Sequence, residues 1–120
     1  MMNLIEELNA LGVDTAEALD RVMGDEDLYE MMLGMFVDAL QSSPISLEEF
    51  GGGDLDDLIR KVHTLKGTTG NLSLTPLFKG YNETLVLLRG GQAGQARAEF
   101  ERMLPAQAKI VDCINQHKNG

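Results

Sequence analysis

The sequence predicts an all-α fold, an antiparallel four-helix bundle with short additional N-terminal helices, and three observations carry that expectation. Apolar residues recur at helical spacing through most of the chain, and no run alternates with period two for long enough to make a strand. Between the periodic stretches stand short turn signals at Gly12, Gly24, Gly51-Gly52-Gly53 and Gly90-Gly91, which suit neighbouring antiparallel helices. The 120 residues are 43% hydrophobic but only 5% aromatic and contain no Trp, so Leu, Met and Ala must fill the core of a single domain spanning 1–120.

Residues 3–11 place Leu4, Ile5, Leu8 and Leu11 on one helical face and stop at Gly12, a residue suited to the C′ position. Asp14-Thr15-Ala16-Glu17 reads as a capping box that opens a second short helix over about 15–23. Gly24-Asp25 starts a third, with Asp25, Glu26 and Asp27 complementing the helix dipole. Leu28, Met32, Met35, Phe36, Ala39 and Leu40 form its stripe to about Ser42. Pro44 disfavours helix at Ser43, and a short turn restarting with Pro44 at N1 and running through Phe50 is expected. The three glycines then form a linker, and Asp54 is the expected N-cap of a helix over about 55–70. Thr75-Pro76 reads as N-cap and N1 of the next helix, which carries Leu77, Tyr81, Leu85 and Leu88 and ends at Gly90-Gly91. A last helix over about 92–117 buries Ala96, Phe100, Met103, Leu104, Ile110, Val111 and Ile114, with a kink expected at Pro105.

Composition removes several classes of function. The net charge of −9 argues against nucleic acid as a partner, since phosphate binding needs a concentrated basic surface. No apolar stretch approaches the ~18 residues of a membrane span, and neither end offers a signal peptide, so a cytoplasmic protein away from membranes is expected. The single cysteine, Cys113, excludes an internal disulfide and a cysteine-based zinc site. It reads as a small core residue of the last helix. His117, 54 positions beyond the only other histidine, reads as an inert residue near a frayed end. With no HExxH or CxxC spacing, no metal is expected.

The charge is unevenly divided. Residues 1–59 hold fifteen Asp or Glu against Arg21 alone, whereas residues 60–120 hold nine Lys or Arg against four acids. The sign changes at His63, where Arg60, Lys61 and Lys66 promise a small positive island on an acidic protein. His63, Lys66, Gly67 and Gly70 stand at i, i+3, i+4 and i+7, one stripe of a helix whose apolar face is supplied by Leu58, Ile59, Val62, Leu65 and Leu72. Interior glycines cost about 1 kcal/mol each in helix propensity relative to Ala, so Gly67 and Gly70 call for a packing or functional reason. Close approach by another molecule is one.

A lone helical histidine without a recognisable base, acid and oxyanion hole does not make a hydrolase. A phosphoryl carrier needs less: an exposed imidazole to take the group, a nearby cation such as Lys66 to offset its charge, and an open surface such as Gly67 provides. No glycine-rich nucleotide loop of the GxxxxGK(S/T) kind exists, and acids follow Gly51-Gly52-Gly53.

These residues resemble a family. His63-Thr64-Leu65-Lys66-Gly67-Thr68 followed by Asn71-Leu72 is similar to the HxxKG(S/A/T) signature of histidine-containing phosphotransfer domains, the helical carriers of multistep His-Asp phosphorelays. Gly24-Asp25-Glu26-Asp27-Leu28-Tyr29 with Leu33 and Phe36 resembles the segment before the phospho-helix, and Tyr81-Asn82-Glu83 lies where the family has a Leu-Glu pair. The likeness thus covers about 13–104. Two positions depart from it: Ser73 stands where a glycine is common, and Asn82 replaces the Leu. A shifted helix end is the expected result at Ser73. The resemblance implies that His63 accepts a phosphoryl group from the aspartate of one receiver domain and passes it to another, supported by Lys66. The receiver supplies the magnesium and the catalytic groups, so the chain is a carrier, not an enzyme, and needs no cofactor of its own. Receivers of a hybrid kinase or response regulator are the implied partners of a monomer, docking through Gly67, Gly70, Arg60, Lys61, Met31 and Met35. Two rival readings are a helical interaction module that binds receivers or kinases without carrying phosphate, and a small phosphatase.

Overall fold

The computed structural model describes residues 2–118, and these form an all-helical bundle with no strand among them. In chain order the helices are α1 (Leu4–Ala10), α2 (Thr15–Arg21), α3 (Glu26–Ser42), α4 (Asp56–Asn71), α5 (Thr75–Arg89) and α6 (Ala93–Lys118), with a 3-10 turn at Leu47–Gly51 between α3 and α4. Three-residue connections at 72–74 and 90–92 force α4, α5 and α6 to run antiparallel in succession. α3 and the 3-10 turn pack on α6, and α1 lies against α6 as well. The core is one continuous cluster in which Tyr29, Leu33, Phe36, Leu58, Val62, Leu77, Tyr81, Leu85 and Ile110 are almost wholly buried.

Close crossing of α5 and α6 depends on Gly80, where an added Cβ would lie 2.5 Å from Met103 Cγ. Phe50 of the 3-10 turn meets Phe100 with ring centroids 5.4 Å apart where the turn closes over α6. Every buried side-chain polar atom among the described residues has a hydrogen-bond partner. Thr69 and Thr84 achieve this within their own helices by donating to Leu65 O and Gly80 O.

Several local expectations shift by a residue or change partner. Asp14 caps α2 through the Glu17 N–H at 3.1 Å, but Glu17 does not return the bond. Its carboxylate instead takes Arg21 one turn on and Ser73, a partner that only the folded chain brings near. After Ser42 the chain is non-helical through Ser46, and the turn begins three residues beyond Pro44, capped reciprocally by Ser46 and Glu49. Leu55 holds the N-cap position of α4, although Asp54 still accepts from the Asp56 N–H. Leu74, not Thr75, caps α5, which moves Pro76 one position into the first turn. α6 is assigned as one helix through Pro105; its 26 residues are about 39 Å long and account for most of the 46 Å long axis.

That length gives α1 its seat. On this seam Glu7 of α1 meets the last turns of α6, where His117 Nε2 lies 2.7 Å from Glu7 Oε2 and the Cys113 thiol donates to the same oxygen at 3.3 Å. His117 is therefore engaged, contrary to the inert role read from the sequence. The bonds from His117 and Cys113 hold the Glu7 carboxyl below its usual range, while burial, with the Glu7 carboxylate beside it, pushes the Cys113 thiol up to about 11.

Candidate functional site

α4 is helical because Leu58, Val62, Leu65 and Thr69 form a buried stripe, while Asp56 and Asp57 in its first turn oppose the positive end of the dipole. The opposite side carries His63, which is exposed and makes no hydrogen bond or ion pair with any described residue. Nearby hydroxyls do not reach for it. Thr64 donates to Arg60 O and Thr68 to Thr64 O, each at 3.0 Å, so both are satisfied along the helix itself.

The two glycines of the stripe have different surroundings. A Cβ at Gly67 would meet nothing within 4 Å, whereas one at Gly70 would lie 3.1 Å from Phe78 Cδ1. Gly67 therefore leaves open space beside His63, and Gly70 lets α5 approach α4. Antiparallel packing with Gly70 against Phe78 sets Lys66 level with Asn82 and His63 level with Leu85. Val86, the next residue of α5, is 59% exposed, an apolar surface residue that the sequence reading missed because the periodicity of α5 does not tell which helix borders each flank.

The expected cations separate as well. Lys61 Nζ donates to Glu49 Oε1 at 2.9 Å and faces Pro44 O at 3.4 Å, which ties α4 to the 3-10 turn. That bond, with the Ser46 N–H, holds the Glu49 carboxyl below its ordinary range. Arg60 pairs with Asp57 at 2.8 Å, an exposed contact one turn away that restrains it weakly. Lys66, half-buried, has no ion pair or hydrogen bond among the described residues. The positive island thus narrows to Lys66 with a loosely held Arg60, because Asp57 and Glu49 offset the rest.

On the α3 side of α4 runs a trough. One part, of about 440 Å³, is lined by Ser43, Asp57, Arg60, Lys61 and Thr64, and a second, of about 290 Å³, by Met32, Met35, Phe36, Thr68 and Asn71; both meet Ala39. Met35, 62% exposed, borders this trough, while Met31, 57% exposed, lies one turn earlier on α3 and outside it. His63 stands on the ridge between the trough and the α4–α5 seam.

The far end of α4 is fixed from below. Leu74 N–H donates to Thr69 O at 2.9 Å and Ser73 N–H to Gly70 O at 3.1 Å, a Schellman ending with Ser73 in the left-handed region at φ +54°. Glycine avoids the cost of that conformation, which explains why Ser73 looks irregular in the sequence. Here its hydroxyl supplies the compensation: it donates to Glu17 at 2.7 Å and accepts from Arg21 at 2.6 Å. Arg21 also donates to Gly70 O and Asn71 O, and the Tyr29 phenol donates to Leu72 O at 2.8 Å. α4 ends at Asn71, one residue beyond the expected span of about 55–70. None of these ties reaches His63 itself, so α4 is held at its far end and, through Lys61, at the 3-10 turn, with its outer face left open.

No helix among the described residues is long and apolar enough to cross a membrane. No protein-family model, curated protein or solved structure matches the chain.

Proposed function

We propose that this chain is a monomeric phosphoryl carrier of the histidine phosphotransfer kind, taking a phosphoryl group on His63 from the aspartyl phosphate of a receiver domain and yielding it to the aspartate of another. The observation that carries the reading is the turn around His63: an exposed, unpartnered imidazole on a helix anchored elsewhere, Lys66 one turn on, and open space over Gly67. A ring nitrogen attacks phosphorus in line, the P–N bond forms as the P–O bond to the aspartate breaks, and the carboxylate leaves with the bonding pair. The imidazolium so formed gives its remaining ring proton to solvent. Return of the group to a second aspartate reverses these steps. Such chemistry is mostly positioning and charge stabilisation, and Lys66 offsets negative charge on the transferring oxygens. The catalytic groups and magnesium belong to the receiver.

Met35 on α3 borders the trough beside α4, and Val86 on α5 is exposed near the level of His63, so both offer a partner apolar area. That surface would also serve an interaction module carrying no phosphate, and one experiment separates the readings. Incubation with a phosphorylated receiver should label the wild-type chain with an acid-labile, base-stable phosphoryl group, and His63→Gln should abolish the label. A wild-type chain that binds receivers but is never labelled would favour the interaction module, and stoichiometric release of inorganic phosphate would favour a phosphatase.

A further inference from the structure

Glu7, Cys113 and His117 form a cluster remote in sequence from His63 and unused by the carrier chemistry. Cys113 and His117 stand at i and i+4 on one face of α6, Glu7 reaches them from α1, and one donor atom from each lies within 4.8 Å of the other two. Their side chains differ in type, a thiol, an imidazole and a carboxylate, and that combination suits a borderline ion better than a hard one. A tetrahedral zinc ion with ligands at about 2.0–2.3 Å holds its donor atoms roughly 3.2–3.7 Å apart. From Glu7 Oε2 the observed separations are 3.3 Å to Cys113 Sγ, already in that range, and 2.7 Å to His117 Nε2, which must open by about half an ångström, while the cysteine and histidine donors lie within 4.8 Å of each other. A cleft of about 380 Å³, lined by Met2, Asp112 and Gln116 among others, opens directly onto Glu7 and Cys113 and leaves room for a fourth ligand.

We propose that Glu7, Cys113 and His117 are a three-ligand site for a zinc-like transition-metal ion that clips α1 to the C-terminal end of α6. Binding forms metal–sulfur, metal–nitrogen and metal–oxygen bonds. The Cys113 thiol proton passes to solvent, and the imidazole proton resides on Nδ1 so that Nε2 offers its lone pair; no electron transfer is involved. The ion replaces the two hydrogen bonds that now join the cluster. Because the site forms only when α1 docks on α6, the metal stabilises the folded chain. The sequence reading excluded a cysteine-based zinc site because it sought several cysteines or a short ligand spacing; this set draws one ligand from 106 positions before Cys113.

The test uses the full chain stripped with a chelator and then titrated with Co²⁺ and Zn²⁺. One equivalent of Co²⁺ should produce a thiolate-to-cobalt charge-transfer band and visible bands of tetrahedral intensity. Zn²⁺ should displace both and raise the melting temperature. Cys113→Ser should remove the charge-transfer band. His117→Gln, at a half-exposed position that does not threaten the core, should weaken binding by more than about tenfold, the lower end of what loss of even an outer-shell partner costs. A wild-type chain with no charge-transfer band, or one whose melting is indifferent to Zn²⁺, overturns the proposal. So does binding that survives both variants, or binding that disappears in His63→Gln, which would place the ion on α4.

Discussion

The two histidines occupy opposite kinds of surface. His63 stands on the outer face of α4 with no partner among the described residues, beside a glycine that adds no bulk. His117 is drawn onto Glu7 across the α1–α6 seam, its side chain 31% exposed and within a cluster that includes the buried Cys113. An imidazole offered to solvent on a fixed helix is suited to meet another molecule, while one engaged by a carboxylate is suited to hold the chain together. Residue type alone does not distinguish them. What separates them is whether the fold supplies a partner.

The largest expected contrast is between substitutions of these histidines themselves. His63→Gln should reduce phosphoryl acceptance to background, while His117→Gln should accept the group at the wild-type rate. Equal loss in both would erase the distinction. Next comes the glycine pair, which tests whether the His63 face is open where α4 meets α5. Gly70→Leu should lower stability by about 1–3 kcal/mol in denaturant unfolding, because Phe78 must yield to the added side chain. Gly67→Leu should change stability far less yet slow phosphoryl transfer, and a normal rate in that variant would show that a partner does not approach over Gly67.

Lys66→Ala should slow transfer about tenfold, or about 1.4 kcal/mol in activation free energy, with unchanged melting, as befits an unpaired cation acting on a charge that develops outside the protein. Unchanged kinetics would remove the lysine from the mechanism. A smaller effect is expected at the anchored end of α4. Ser73→Ala keeps the left-handed strain but loses the hydroxyl between Glu17 and Arg21, and should cost about 1 kcal/mol of stability without altering transfer chemistry.

The same ties predict a modest acid sensitivity. Glu7, Glu17 and Glu49 all have carboxyls held below their ordinary value of 4.5 by hydrogen bonds, from His117 to Glu7, Ser73 to Glu17 and Lys61 to Glu49. Their contribution is present above that value and is lost as the pH falls through the lowered ones, so melting temperature should decline as solutions are acidified below about 4.5. Replacing Glu49 with Gln should flatten part of that decline. A decline unchanged in that variant would remove the Lys61 tie from the acid response.

Helix positions were largely legible because they depend on local chemistry. The apolar stripe of α4, the acidic first turn of α3 and the stop at Gly12 each follow from side chains within a few residues. The neighbourhood of His63 was legible for the same reason, since His63, Lys66 and Gly67 lie within two turns of one helix. The charge around it was misjudged. Lys61 reads as a free cation until the 3-10 turn folds back and places Glu49 beside it, and Arg60 until Asp57 is seen beneath it.

By itself, then, the sequence determined the helical periodicity, the helix ends marked by glycine and the spacing that puts His63, Lys66 and Gly67 on one face, because a helix converts sequence distance directly into angle and rise. Only the tertiary structure decided that Gly70 serves packing while Gly67 stays open, that Ser73 tolerates a glycine-like conformation through Glu17 and Arg21, and that Glu7, Cys113 and His117 meet. Those outcomes rest on contacts between residues distant in the chain, whose distances are fixed by how helices pack and not by any local preference.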